Sequence, residues 1–569
     1  MIGNIVEFRV KKKELIIICF IIAVYLLHRL FMYKLGLYME ECRDANAMLM
    51  VLNGKVPYRD FHFWVYGPFV FCIYPLIFKI FGVSLGIFRL SFIIAGAFVI
   101  PLVYLLSRRL MSPIWAGVSA FLSIILLDVP YYTYNHIFAT LAGLLALLFV
   151  IKFMEEGLVH YVFFSGIFIG IALLVKPFFM GFGMLFSIGL FMCFLEFQNH
   201  PVRKIKYSHI VIFLAGALLV LVSCAIYFII HGSLYKFLRN IIPLGADRVG
   251  SFYVYTGFTF SLRHHLKWLM SLFPIKIFFS PLSLWKEIIV KSYYAQLLYS
   301  PVLVPLIIVV LNKYIFYKYN LVSKISVRYL VLFTIFSIFI AGQSLIIFGL
   351  MGRSFTMQIP FLLIAYFLSL VNNKKLYAQA NFRKHIIVGL SICFIFYLSF
   401  LHVIRYPYSK SKKYTVPLNF ERAKNIKVTY EEKELYEALN KSLYENTNIN
   451  EPIAVIGYYP QFAFLFNREN IFGDMEDVFI KFSETQESNK FDTKDLENVK
   501  KTEDYLISRL KLRKPKFIIS PVSNRKYLTP ELIKYINQSY VLEKTFGPAD
   551  LDIYTTGIVR LYKRREGNR

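Results

Sequence analysis

The stretch FVFCIYPLIFKIF, Phe69 to Phe81, decides how the whole chain is threaded. It is almost wholly apolar, yet it is much shorter than the roughly 20 residues that a helix needs to cross a bilayer. If it crossed, every later apolar run would reverse direction, and Arg108 and Arg109 would face outward. Lys and Arg tend to stay in cytoplasmic loops, so this stretch reads instead as a helix lying in the outer interface. With that choice the basic segments fall on one side: the amino terminus, Arg108-Arg109, the stretch with Arg203, Lys204 and Lys206, that from Lys313 to Arg328, and Lys374 to Lys384. The inner loop with Glu155 and Glu156 is the exception, and acidic residues weigh little in orientation.

Working outward, the apolar runs place spans near 15–37, 84–107, 113–128, 136–153, 160–176, 178–196, 208–230, 297–313, 328–346, 357–371 and 385–404. These make about eleven transmembrane helices. The expected fold is a polytopic α-helical membrane protein over residues 1–404, with its amino terminus cytoplasmic and everything after His402 outside. A first outer loop covers 38–83, and a long one covers 231–296, where WLMSLFPIKIFF is a further interfacial patch. The run from Leu15 follows Arg9 and Lys11 to Lys13 like a signal peptide, but it is too long and lacks a small-residue cleavage site, so it reads as a retained anchor.

The composition is 57% hydrophobic, with 57 Phe and 40 Tyr, which suits helices packed in lipid and anchored at its interfaces. A net charge of +29 suits either nucleic acid or inner loops, and the Lys and Arg sit mostly between spans, so no nucleic-acid partner is expected. Cys19, Cys72, Cys193, Cys224 and Cys393 lie in apolar segments, and the sequence holds neither a disulfide framework nor a CxxC metal site. Lys/Ile/Phe/Asn-rich usage without a eukaryotic targeting signal points to a prokaryotic plasma membrane.

From 405 to 569 the composition becomes ordinary and charged. EKELYEALNKSLY, the region from Glu503 to Leu510, and PELIKYINQ read as helices. PIAVIGYY, KFIIS, YVLEKTF and GIVRLY read as strands, so a small extracytoplasmic α/β domain is expected. It has no GxGxxG and no GxxxxGK[ST], and so no sign of a nucleotide site.

The charged residues that matter precede the opening stretch, in YMEECRDANAMLMVLNGKVPYRDFHFWVYGP from Tyr38 to Pro68. Glu41 to Asn53 suits a helix with Ala45, Met48, Leu49 and Leu52 on its apolar side, ended by Gly54 and Pro57. Glu40, Glu41 and Asp44 crowd its first turn. One account is that they complement the helix dipole. The other is that a carboxylate at the membrane surface acts as a general base toward a hydroxyl.

This order resembles the first outer loop of the C-fold glycosyltransferases, membrane enzymes such as protein O-mannosyltransferases and the lipid A aminoarabinose transferase. The shared features are Glu40-Glu41, a small helix, Gly54, Pro57-Tyr58-Arg59-Asp60-Phe61, Gly67-Pro68 and Phe81-Gly82. The likeness runs on through IFRLSFIIAG and YLLSRRL, and more weakly through ALLVKPF and GRSFTMQIPFLL. Relatives commonly have Asp-Glu where this chain has Glu-Glu, so Glu40 takes the catalytic position by order while the choice between Glu40 and Glu41 stays open. Where relatives carry an acidic residue at the start of the fourth span, this chain has Asn135 or His136, and its nearest carboxylate is Asp128.

The resemblance implies transfer of a sugar from a polyprenyl-phosphate donor to a hydroxyl acceptor (lipid, glycan or protein) at the outer face of the bilayer, with inversion. Lys176, beside Pro177, is either a phosphate ligand or a lysine snorkelling to the interface. Arg353 is a similar case, and Arg89 either supports the carboxylates or meets the phosphate. Arg59 and Asp60 of the PYRDF turn join the candidate substrate contacts, as do Asn135 and His136. Tyr131, Tyr132 and Tyr134 read first as an interfacial belt. No cofactor is expected, although carboxylates alone are able to hold a divalent cation. The rivals are a surface-polysaccharide polymerase or ligase using diphosphate-linked donors, a transporter and a non-catalytic scaffold. Unusual charges gathered at span ends rather than mid-span speak against the transporter.

Overall fold

The structure is a computed structural model that describes residues 11–61, 67–127, 134–176, 181–197, 206–241, 328–336, 339, 406–456, 460–472, 493–521, 530–550 and 556–565. The first ten helices are α1 (Lys12–Met32), α2 (Met39–Leu52), α3 (Val70–Phe81), α4 (Leu85–Ser107), α5 (Pro113–Leu127), α6 (Tyr134–Glu156), α7 (Val159–Val175), α8 (Phe182–Phe197), α9 (Tyr207–Ile230) and α10 (Leu234–Ile241). Among the described residues α1, α4, α6 and α9 are long and apolar enough to cross a membrane, and α3, α5, α7 and α8 are shorter apolar helices. The chain is a multi-pass membrane protein. The expected spans 297–313, 357–371 and 385–404, and most of the loop 231–296, lie outside the described residues.

The chain forms two compact units, each drawn from three segments. One comprises Met1–Arg29, Phe92–Tyr227 and Arg248–Tyr406, and the other Leu30–Ser91, Phe228–Asp247 and Pro407–Arg569. First-loop residues are thus grouped with the C-terminal stretch, whereas composition alone drew one boundary near residue 405.

In the first unit, Tyr25 lies against Gly96 while Glu14 pairs with Arg108, so α1 and α4 run antiparallel. Ser165 donates to the Ala146 carbonyl at 3.1 Å, and Tyr161 to Glu156 at 2.8 Å, so α6 and α7 form an antiparallel hairpin. α7 and α9 run side by side in the same direction and touch backbone to backbone. A Cβ on Gly166 would fall on the Phe213 carbonyl, and one on Gly216 on the Phe163 carbonyl. Small residues that permit such approach are a common basis for helix pairing in lipid. Most of α9 faces away from protein, with Leu218, Val222, Ile226 and Ile230 exposed, an apolar surface suited to lipid rather than water.

Charges gather at one end of this unit. Arg108 Nε meets Glu14 Oε1 at 2.9 Å, Arg109 Nε meets Glu155 Oε1 at 3.1 Å, and Lys152 Nζ meets Glu156 Oε1 at 2.6 Å. Tyr329 also donates to Glu155, at 3.3 Å. The two glutamates that broke the basic pattern of the loops are therefore partners of Arg109 and Lys152.

In the second unit, α3 has 12 residues and is about 18 Å long, too short for a hydrocarbon core of about 30 Å. Tyr74 and Phe78 pack on Phe88 of α4, with ring centroids 4.7 and 6.3 Å apart, while Leu76, Ile80 and Phe81 stay exposed. The later elements are α11 (Tyr406–Lys413), β1 (Val416–Pro417), β2 (Lys427–Val428), α12 (Tyr430–Asn446), β3 (Ala454–Val455), α13 (Pro460–Leu465), α14 (Thr493–Arg513), β4 (Phe517–Pro521), α15 (Pro530–Ser539), β5 (Tyr540–Asp550) and β6 (Thr556–Arg564). β1 and β2 pair antiparallel, and a four-stranded sheet has the order β3-β4-β6-β5, with β3 and β4 parallel and the rest antiparallel. Ile518 of β4 and Leu506, Leu510, Leu532 and Ile536 of the helices form its core. α12 opens with a capping box between Thr429 and Glu432, which satisfies two otherwise orphaned amides.

Candidate active site

Arg89 stands in the first turn of α4, 3% exposed, and its guanidinium is spent on groups from two neighbouring segments. Nε donates to Glu41 Oε1 and Oε2 at 3.1 and 3.0 Å, and Nη2 to Glu41 Oε2 at 2.5 Å. Nη2 also reaches the Gly36 carbonyl at 2.6 Å, and Nη1 the Tyr33 carbonyl at 2.6 Å. A guanidinium offers its donors in a rigid fork, so this set fixes the end of α1, the start of α2 and the start of α4 against one another. Burial pushes the Glu41 carboxyl above its ordinary value, and Arg89 pulls it part of the way back. Gly36 has φ +74°, and a Cβ there would strike the Tyr38 hydroxyl. The Tyr38 ring carries two cations, with Arg89 Cζ at 5.3 Å and Lys410 Nζ at 5.5 Å from its centroid.

α2 is enclosed on nearly every side. Cys42, Asp44, Ala45, Ala47 and Met48 are fully buried, and Arg43 Nε meets Asp44 Oδ1 at 2.6 Å. α3 and α13 both pack against it. Glu40 lies in that turn beside Glu41, and its side chain is outside the described residues.

The PYRDF turn has its own internal logic. Asp60 Oδ2 accepts the Val56 amide at 2.7 Å, and Arg59 grips both Asp60 oxygens at 2.9 and 3.0 Å. Arg59 holds the Asp60 carboxyl below the ordinary carboxylate value. Tyr58 adopts φ +63° and is fully buried, with its ring 6.0 Å from Phe71, 5.5 Å from Phe228 and 6.1 Å from Phe237. The strained tyrosine backbone is held by this aromatic packing.

Residues 66–230 match the family model described as Dolichyl-phosphate-mannose-protein mannosyltransferase. No curated protein sequence matches the chain. ArnT from Cupriavidus metallidurans, solved bound to undecaprenyl phosphate, aligns with a TM-score of 0.52 at 10% identity, covering 96% of this chain and 97% of that one. The apo Archaeoglobus fulgidus oligosaccharyltransferase aligns with a TM-score of 0.50 at 15% identity, covering 98% of this chain and 75% of that one. The chain shares the fold of these two structures.

Within this fold, the remaining candidates take these places. Lys176 caps the C-terminal end of α7 and is 1% exposed, so protein encloses it and it does not snorkel to a surface. Asn135 and His136 lie in the first turn of α6, with their side chains outside the described residues. Arg353, Asp128, Tyr131 and Tyr132 lie outside them entirely. Among the described residues no group of three or more His, Cys, Asp or Glu is arranged to hold a metal ion. The Tyr33 and Gly36 carbonyls and Lys410 escape sequence reasoning. The one sign of them was a glycine between a span and a glutamate pair.

Proposed function

We propose that this protein transfers a sugar from a polyprenyl-phosphate carrier to a hydroxyl acceptor at the outer face of a prokaryotic plasma membrane, with Glu40 as general base. The observation that carries the assignment is the buried Glu41–Arg89 pair. Glu41 is 5% exposed and committed to a guanidinium, so it anchors the loop, and the base is its neighbour. Support for the donor class comes from the family match over 66–230 and from the shared fold with a protein solved holding undecaprenyl phosphate.

In the reaction Glu40 takes the acceptor's hydroxyl proton, the oxygen attacks the anomeric carbon, and the bond from that carbon to the phosphate oxygen breaks as the phosphate keeps the electron pair. A single displacement inverts the carbon. Lys176 and Arg353 hold the leaving phosphate, where negative charge grows. Asn135 and His136 contact the sugar, while Arg59 and Asp60 keep the loop in shape. In this reading about eleven spans enclose the carrier, the amino terminus is cytoplasmic, and the C-terminal stretch is an extracytoplasmic α/β domain that guides the acceptor.

The test is loss of labelled sugar from a panel of polyprenyl-phosphate carriers in membranes holding equal amounts of wild type or Glu40→Gln. Transfer is expected to fall roughly 10²–10⁴-fold in the variant, the usual worth of a general base. Transfer by Glu40→Gln at the wild-type rate, or no carrier consumed by wild type, sinks the proposal.

A further inference from the structure

We infer that the C-terminal stretch positions the catalytic loop through the main chain of Lys427, an inference that rests on the function proposed above. In the β1–β2 pair, Thr415 donates to the Val428 carbonyl at 3.1 Å and Leu418 to the Ile426 carbonyl at 2.8 Å. Lys427 lies between these partners and presents its own amide and carbonyl to the opposite edge. There its N–H donates to the Lys34 carbonyl at 2.7 Å, and its carbonyl accepts the Gly36 amide at 2.8 Å, a parallel bridge centred on Leu35.

Residues 33–36 are therefore gripped from two directions. Arg89 takes the carbonyls of Tyr33 and Gly36, and Lys427 takes the carbonyl of Lys34 and the amide of Gly36. Gly36 holds both at once, so the bridge and the Glu41–Arg89 clamp share one residue. The grip is firm at its far end, because Ile426 and Val428 are buried and Thr429 begins the capping box of α12. The Lys427 side chain itself is exposed. Lys427 is thus a positioning residue that acts by backbone. It fixes the joint from which α2 departs, and with it the first turn that carries Glu40 and Glu41.

Lys427→Pro removes the N–H that reaches Lys34 and leaves the bonds of Ile426 and Val428 to β1 in place. Misplacing a catalytic group by about 1 Å costs roughly 10²-fold, so kcat is expected to fall by about that much, with donor KM nearly unchanged and the acidic limb of the kcat–pH profile displaced. Hydrogen exchange is expected to quicken in peptide 33–41 but not in 430–446 or 517–521, whereas Lys427→Ala, which keeps both main-chain groups, exchanges like wild type. Wild-type kcat, or an unmoved pH profile with unaltered exchange at 33–41, overturns the inference. If Lys427→Pro also loosens 430–446, the Leu35→Cys, Lys427→Cys double variant decides: transfer retained on oxidation supports a bridge present in the working enzyme, and transfer abolished on oxidation overturns it. If wild type consumes no carrier, the proposed function fails by itself and the exchange comparison still judges the bridge.

Discussion

At its first turn α4 holds Arg89 against Glu41, and at its last turn the helix leads into Arg108, which pairs with Glu14. Both are arginine–glutamate pairs, yet they join different things. The last-turn end ties helix to helix, and each described acid there has its base: Glu14 with Arg108, Glu155 with Arg109, Glu156 with Lys152. The first-turn end ties a helix to a loop through Glu41 and closes two carbonyls as well. Charge that merely fastens helices can be matched one to one. Glu40 stands beside the matched Glu41 in the same helix turn, and the proposed function gives that neighbour the chemical task.

The sharpest way to break this contrast is to remove one acid from each end. Glu40→Gln is expected to lower transfer roughly 10²–10⁴-fold without lowering the amount of folded protein. Glu14→Gln is expected to do the reverse, lowering thermal stability while turnover per folded molecule stays within a few-fold of wild type. Equal losses of turnover from the two would show that both ends are structural and that the first-loop pair has no chemical distinction.

Next in size is the pair of arginines. Arg89→Ala strands Glu41 in a buried site and frees two carbonyls, and breaking a buried pair by removing one partner costs about 3–5 kcal/mol. Arg108 is more open, with 21% of its side chain exposed against 4% for Arg89, so Arg108→Ala is expected to cost distinctly less. Thermal unfolding in detergent would compare them, and a larger loss at Arg108 would reverse the ranking that burial gives.

Gly36→Ala probes the mount itself. At φ +74° an L side chain costs about 1–2 kcal/mol, and its Cβ would also displace Tyr38. The expected result is a moderate loss of stability with a larger loss of transfer, read as kcat and unfolding temperature on the same preparation. Substitution without effect on either would mean the joint is not held as tightly as its four hydrogen bonds imply.

The contrast between the two ends was only half legible in the sequence. Apolar runs located α1 and α4 to α9 within a few residues, and the shortness of Phe69 to Phe81 marked α3 as a helix of less than spanning length. The leucines of EKELYEALNKSLY, four residues apart, likewise announced α12. Glu155 and Glu156, however, looked like exceptions, because loop statistics count charges without pairing them. Arg89 offered two partners on paper, since a sequence does not say which acid a buried guanidinium meets. The hold of Lys427 on residues 34–36 left no trace at all. It is made by main-chain groups far apart in the chain, and such groups are the same in every residue type. Tyr58 was hidden for a related reason: a positive φ is expected at glycine, and here aromatic packing rather than residue type imposes it.

The smallest effect belongs to the exposed pair in the same loop, which behaves more like the last-turn end than like its buried neighbour. Arg59 is 43% exposed and Asp60 26%, so the pair itself contributes about 1 kcal/mol or less. What Asp60 adds is the bond from the Val56 amide that closes the turn. Its carboxyl pKa lies below the ordinary 3.8, chiefly through the hydrogen bond from Arg59, so near that pH the folded turn binds fewer protons than the unfolded chain. The contribution is therefore complete above the ordinary value and is lost as pH falls through the lower folded one. Wild type is expected to lose protection in peptide 53–61 on acidification below about pH 4, after correction for intrinsic exchange. Asp60→Asn, already without the carboxylate, is expected to show reduced protection at pH 6 and no such acid limb. An acid limb that persists in Asp60→Asn would assign it to another carboxylate, with Asp44 and Glu41 of the buried helix first in line.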